Sequence, residues 1–259
     1  MGEAMIDWSV EDQVGVLRFD KPDSLNAIAN TDIDVLDRVV RIAGEDPDVR
    51  AIVMTGAGRA FCAGADVGEW HAGDAEGEES WPLKMHRVIS RLYWLPKPVV
   101  AAVNGAAVGS GCDLALTADV RIASTKARFG EAYVRLGICP DAGGSYLLPR
   151  IVGEARAAEL IYTGRIIDAA EALAIGLVTE VVEPDALMDH ATDLARRFAR
   201  SATVAVGQAK ENIRRGHTAT LDEALRDEAR GAHICSLTDD HREGLQAIVD
   251  KREPRFVGR

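Results

Sequence analysis

The stretch from Lys97 to Ser145 limits the fold more than any other part of this chain. An apolar strand-like segment, 98–103, runs through a glycine-rich turn into a helical segment at about 110–117, and a further apolar strand, 119–123, follows at once. Strand, turn, helix and strand at this spacing specify a right-handed βαβ-type core. The turn reads Gly109-Ser-Gly-Cys-Asp113 and opens a helix, so unpaired backbone N–H groups and a helix dipole converge on one point. Asp113 lies in that turn, and Asp141 follows within GICPDAGGS. Backbone donors beside carboxylates suit chemistry in which a carbonyl oxygen becomes an anion while a nearby carbon loses a proton.

The flanking pattern extends the same architecture. Residues 4–9 and 13–19 alternate as strands around the polar turn Glu11-Asp12-Gln13, which makes a hairpin. Thr31 with Asp34 resembles a capping box, and Ile33, Leu36 and Val40 continue a helix to about Ala43. RAIVMT (50–55) is a buried strand followed by the turn TGAGRAF. Residues 70–80, acidic and unpatterned, predict a mobile loop, and a helix over 81–94 stops at Leu95-Pro-Lys-Pro98. From about residue 145 the pattern is almost wholly helical, with Asp168 capping a short helix and amphipathic segments near 185–199, 202–215, 220–235 and 239–252.

Composition removes several function classes. A chain of 259 residues with 47% apolar content supports one large domain, or a domain with an appendage, around a full core. A net charge of −11 argues against a general nucleic-acid binder, while leaving room for a phosphorylated small ligand held by a few local cations. Cys62, Cys112, Cys139 and Cys235 lie far apart, without metal spacing, and read as reduced, mostly buried thiols of a cytoplasmic protein. No secretory signal is visible, and the uncharged run between Lys97 and Asp113 is too short to span a bilayer.

Single motifs are weak. Gly56-Ala-Gly58 and Gly109-Ser-Gly111 both lack the third glycine of a dinucleotide fingerprint, having Phe61 and Leu114 there, and no Gly-Lys pair supports a P-loop. Ser110 is flanked at two residues' distance by Val108 and Cys112, not the glycines of a nucleophile elbow, so its relevance lies in its backbone N–H. The histidines at 71, 86, 190, 217, 233 and 241 form no metal-spacing pair and read mostly as solvated; His86 is the exception of interest, because its helix precedes the core strand. Read alone, Asp113 is a helix-start acid or a catalytic group, Asp141 a turn or N-cap residue, Glu131 a salt-bridge partner, and Tyr133 a core residue or a pocket wall.

Taken together, LRFDKPDSLNAI (17–28), AIVMTGAGRAFCAGADVGEW (51–70), KPVVAAVNGAAVGSGCDLALTADVRIAS (97–124), ARFGEAYVRLGICPDAGGSYLLPRIVG (127–153) and EGLQAIVDKREPRF (243–256) resemble the crotonase superfamily, the enoyl-CoA hydratase/isomerase family. The resemblance implies an α/β fold, the ClpP-like crotonase spiral of βαβ units, with two roughly perpendicular sheets. The core would occupy 1–195, and a helical region, 196–259, would build homotrimers, often stacked into hexamers. It also implies an acyl-CoA substrate, no metal and no redox cofactor, coenzyme A entering as part of the substrate.

By motif matching, the amides of Ala65 and Ser110 form the oxyanion hole, where the family often has Gly at the position of Ser110. Ala63, Ala65, Asp66, Val67 and Gly68 lie along the coenzyme, and Lys251, with Arg252 beside it, resembles C-terminal cations that approach its phosphates, often from a neighbouring subunit. The two glutamates of hydratases correspond to Asp113 and Tyr133, and a phenol of pKa near ~10 is a poor base. Asp141 matches an aspartate of dienoyl-CoA and ring-epoxide isomerases, and of dehalogenase-type relatives. The expectation is therefore an isomerase with Asp141 as acid/base and Asp113 assisting. Hydration of a trans-2-enoyl-CoA, a non-catalytic CoA- or RNA-binding relative, and a serine peptidase of similar fold are the alternatives.

Overall fold

The computed structural model describes residues 5–70 and 79–259. The expected mobile loop at 70–80 falls mostly outside the described residues. In chain order the elements are β1 (Ile6–Glu11), β2 (Val14–Phe19), α1 (Asn30–Glu45), β3 (Ala51–Gly56), β4 (Ala60–Cys62), α2 (Val67–Trp70), α3 (Trp81–Tyr93), β5 (Val99–Val103), β6 (Ala106–Val108) and α4 (Ser110–Thr117). There follow β7 (Val120–Ser124), β8 (Arg128–Gly130), a 3-10 turn (Ala132–Leu136), α5 (Gly144–Val152), α6 (Glu154–Thr163), β9 (Ile167–Asp168), α7 (Ala169–Ala174) and β10 (Glu180–Val182). The chain closes with α8 (Leu187–Ala199), α9 (Thr203–Gly216), α10 (Leu221–Ser236) and α11 (Asp239–Asp250).

Two sheets share the strands in a regular way. One has the order β1-β2-β3-β5-β7-β10, the other β4-β6-β8-β9. Each long apolar strand is therefore followed by a short one in the opposite sheet: β3 by β4, β5 by β6, β7 by β8. This repeated exchange is the spiral. Pairing is parallel except for the β1–β2 hairpin and β8–β9. The hairpin turns on Asp12 and Gln13, both at positive φ, as a two-residue loop requires.

Burial explains the strand order. Val53, Val100, Ala102 and Ile122 face Leu187, Ala191, Ala195 and Ala199 of α8, whose alanines let the helix lie close on the larger sheet. The opposite face, with Ile52, Met54, Ala101 and Val103, joins a core that includes α1, α3 and α4. A sheet covered on both faces by helices reads as continuous apolar runs, which is how β3 and β5 appear. The expected division after residue 195 falls inside α8, where Ala199 is buried with Ala195.

Several expectations need correction. The capping box on Thr31 and Asp34 does not form; α1 begins two residues earlier, with Ala29 at the N-cap, and the Asp32 carboxylate accepts from the Ala29 N–H at 2.9 Å and from Lys21. The region after residue 145 is not purely helical, because β9 and β10 return to the two sheets. Two of the four thiols, Cys62 and Cys112, are buried, whereas Cys139 is exposed and Cys235 half-buried. Asp168 does cap α7, accepting from Glu171 N at 2.9 Å. No helix among the described residues is long and apolar enough to cross a membrane.

Candidate active site

Asn26 sets the first wall of the site. Fully buried and at positive φ, it donates through Nδ2 to the carbonyls of Ala57, Ala60 and Phe61, and its Oδ1 accepts from Lys21 N at 2.9 Å. These bonds hold β4 and fix where the chain leaves it, at Ala63–Asp66. An isolated parallel bridge then joins Ile28 to Ala65. In it Ile28 N donates to Gly64 O at 2.8 Å and Asp66 N donates to Ile28 O at 3.0 Å. The pairing uses the groups flanking Ala65, so the N–H of Ala65 itself turns to the other side and has no acceptor among the described residues.

The second wall is the start of α4. Asp113 N makes the first helical bond, to Gly109 O at 3.0 Å, which leaves the Ser110 amide without an intrahelical acceptor. Gly111 permits the approach of this helix to β4, since a Cβ there would collide with the Cys62 carbonyl. A Cβ built on Gly64 would lie 3.4 Å from Ser110 N, so the two open amides belong to adjoining segments.

Ala63, Ala65 and Val67 from one wall and Ser110 from the other line a cavity of about 240 Å³, closed by Trp81, Tyr133 and Asp141. Asp66 and Gly68 do not line it; the Asp66 carboxylate turns back to accept from Gly68 N at 2.9 Å, opening α2. Lys251 is remote, ending α11 at positive φ, with no ion pair among the described residues. Arg252 is engaged by both carboxylate oxygens of Glu243. A larger groove of about 410 Å³ lies between α9, α11 and the C-terminal tail; it touches neither amide and contains neither Asp113 nor Asp141.

The acids divide across Tyr133. Asp141 lines the cavity, half-buried, and burial raises its pKa. His86, expected to be solvated, donates from Nε2 to the Asp141 carbonyl at 2.7 Å and so fastens that loop to α3. Asp113 is fully buried and does not line the cavity. Its Oδ2 accepts a short hydrogen bond from the Tyr133 hydroxyl. Burial first, and Glu131 second, hold its pKa well above the ordinary carboxylate range.

Glu131 corrects the salt-bridge expectation: it is buried beside Asp113 and has no cationic partner among the described residues. Burial pushes its pKa up to about 7. Tyr133 is likewise shifted upward, by burial and then by Asp113, so the phenol stays protonated. The Ser110 hydroxyl is buried without a partner among the described residues, and the cavity also meets Arg135 and Leu136, which sequence reasoning had not singled out.

Two open amides and one carboxylate thus surround an apolar cleft, and comparison with known proteins places the chain in a family. The Enoyl-CoA hydratase/isomerase family model matches residues 9–259. The chain belongs to the enoyl-CoA hydratase/isomerase family. The short-chain-enoyl-CoA hydratase of Clostridium acetobutylicum is 40% identical over 244 residues, covering 94% of each chain. The 1,2-epoxyphenylacetyl-CoA isomerase of Escherichia coli is 36% identical over 254 residues, 96% of this chain and 97% of that one. A crystal structure of enoyl-CoA hydratase from Bacillus anthracis superposes with a TM-score of 0.93 at 36% identity, over 98% of this chain and 100% of the other. The family relationship establishes a crotonase-superfamily enzyme, and hydratases and an isomerase stand at similar distance from it.

Proposed function

We propose that this enzyme isomerises an unsaturated or strained-ring acyl-CoA by moving a proton between carbons of a thioester enolate. The Ala65 and Ser110 amides receive the enolate oxygen, and Asp141 takes the proton from one carbon and returns it to another. One observation carries the choice over hydration: among the described residues, Asp141 is the carboxylate that lines the cavity, while Asp113 lies behind Tyr133 with its Oδ2 engaged. Hydration in this family uses two carboxylates on one water, and the second of those positions is a phenol here. Returning one proton to a different carbon needs a single carboxylate.

The remaining assignments accompany this reading. The Ala63–Gly68 segment borders the coenzyme, Lys251 serves its phosphates from a neighbouring subunit, and exposed Leu225 on α10, Leu237 just after it, and Leu245 and Ile248 on α11 supply a homotrimer or hexamer interface. The reaction is redox-neutral and asks for no metal. The deciding assay incubates the enzyme with crotonyl-CoA and with a panel of 3-enoyl-, dienoyl- and epoxide-bearing acyl-CoAs. Positional isomers without water uptake support the proposal. Rapid loss of crotonyl-CoA enoyl absorbance, with no isomerisation across the panel, identifies a hydratase instead, and binding without turnover identifies a non-catalytic relative. Light scattering tests the assembly, a monomer at micromolar concentration being the contrary result.

A further inference from the structure

Among the described residues, Asp113 Oδ1 and both oxygens of Glu131 are buried without a hydrogen-bond partner, as is Asp141 Oδ1 on the cavity side. Glu131 is 1% exposed and Asp113 fully buried. The two groups meet over the first residue of α5, because a Cβ on Gly144 would collide with Asp113 Oδ1 and with Glu131 Oε2 alike. The titratable groups around them are Cys112 on α4, Tyr133 on the 3-10 turn that follows Glu131, and Asp141 on the loop beyond; α5 contributes the uncharged Gly144. Arg121, a buried cation that interacts with Cys112, is occupied by the carbonyls of Ala118 and Leu177, and His86 holds the Asp141 carbonyl. Two adjacent carboxylates without a cation, out of reach of water, cannot both ionise.

We propose that Glu131 and Asp113 share at least one proton at neutral pH, and that Glu131 is a positioning residue that acts on the site through Asp113 and Tyr133. The shared proton lies between Glu131 and Asp113 Oδ1, which leaves Asp113 Oδ2 as the acceptor of the Tyr133 hydrogen. Tyr133 has one hydrogen to give, and it points inward. Towards the cavity it presents lone pairs, so it accepts from Asp141 once Asp141 has taken a proton from substrate carbon. Loss of the shared proton would place a second negative charge behind Tyr133 and raise the proton affinity of Asp141, slowing its return of the proton to substrate carbon.

The functional consequence rests on Asp141 as the proton carrier, but the shared proton does not, and the tests separate the two. In the native enzyme at pH 7, infrared spectroscopy should show a protonated-carboxyl band that Glu131→Gln removes. Folding stability supplies a second readout. The native Glu131 pKa of about 7 lies above the ordinary 4.5, so the folded state binds the extra proton between those values and stability falls as pH rises through that window. Glu131→Gln should remove about one proton from this linkage. In turnover, the native kcat should fall on the alkaline side of a step near pH 7 that Glu131→Gln lacks, with KM unchanged. Should Glu131→Gln fail to fold, Asp113→Asn carries the infrared test, because the Glu131 band must shift when its partner becomes an amide. An unchanged band together with an unchanged stability slope overturns the shared proton. A changed band and slope with an unaltered kcat profile leaves the proton in place and overturns the positioning role.

Discussion

The two sides of Tyr133 hold the same kind of side chain in opposite circumstances. On the cavity side Asp141 is half-buried, lines the open cleft and has its backbone tied to α3 by His86. On the interior side Asp113 is fully buried, with Glu131 against it and no cation in contact among the described residues. Both aspartates are shifted upward chiefly by burial, yet only the first lines the cavity. Under the proposed mechanism, environment and not residue type separates the proton carrier from the proton store.

The comparison can be broken at its strongest point. Asp141→Asn removes the carrier while preserving shape, so turnover should fall by about 10²–10⁴ with little change in stability. Full activity in that variant, measured with the best acyl-CoA of the panel, would move the chemistry elsewhere. Ser110→Pro tests the partner feature, the amide pair, because proline at the first helical position is tolerated and deletes one N–H. A drop of about 10²–10³ in kcat at near-native melting temperature is expected, whereas Ser110→Gly keeps the amide and most of the activity.

Asn26→Ala leaves three carbonyls of the β4 region without their donor and should cost roughly 1–3 kcal/mol, read from urea denaturation. The smallest effect sharpens the contrast between the two sides. Asp113 has a raised pKa, so the folded protein holds its proton above the unfolded value and loses stability as pH rises. Asp113→Asn should therefore gain on the parent progressively from acid to alkaline pH. Parallel stability curves for the two proteins would place a compensating cation near Asp113.

Legibility followed element length and repetition. The helices α3, α4 and α8–α11 appear within a few residues of where apolar periodicity predicts them, and so do the long strands β3, β5 and β7. The short strands β4, β6 and β8 have three residues each and β9 two, too few for any alternation to register. Those short strands form the second sheet, and with it the site. Glu131 was misassigned for that reason: as an acid just after Phe129-Gly130 it reads as a salt-bridge partner, unless one knows that β8 ends against α4.

Local pattern alone determined that apolar strands alternate with helices, that a glycine turn opens α4 at Ser110, and that Asp113 and Asp141 stand near that turn; ordered motif matches added the family. Tertiary structure decided which acid meets the cavity, that Tyr133 turns its hydrogen inward, and that Glu131 lies unpaired beside Asp113. The reason is physical. Periodicity and turn chemistry act over a few neighbouring residues, whereas desolvation and charge pairing depend on which distant segments close around a group, and in this chain that closure is made by strands too short to announce themselves.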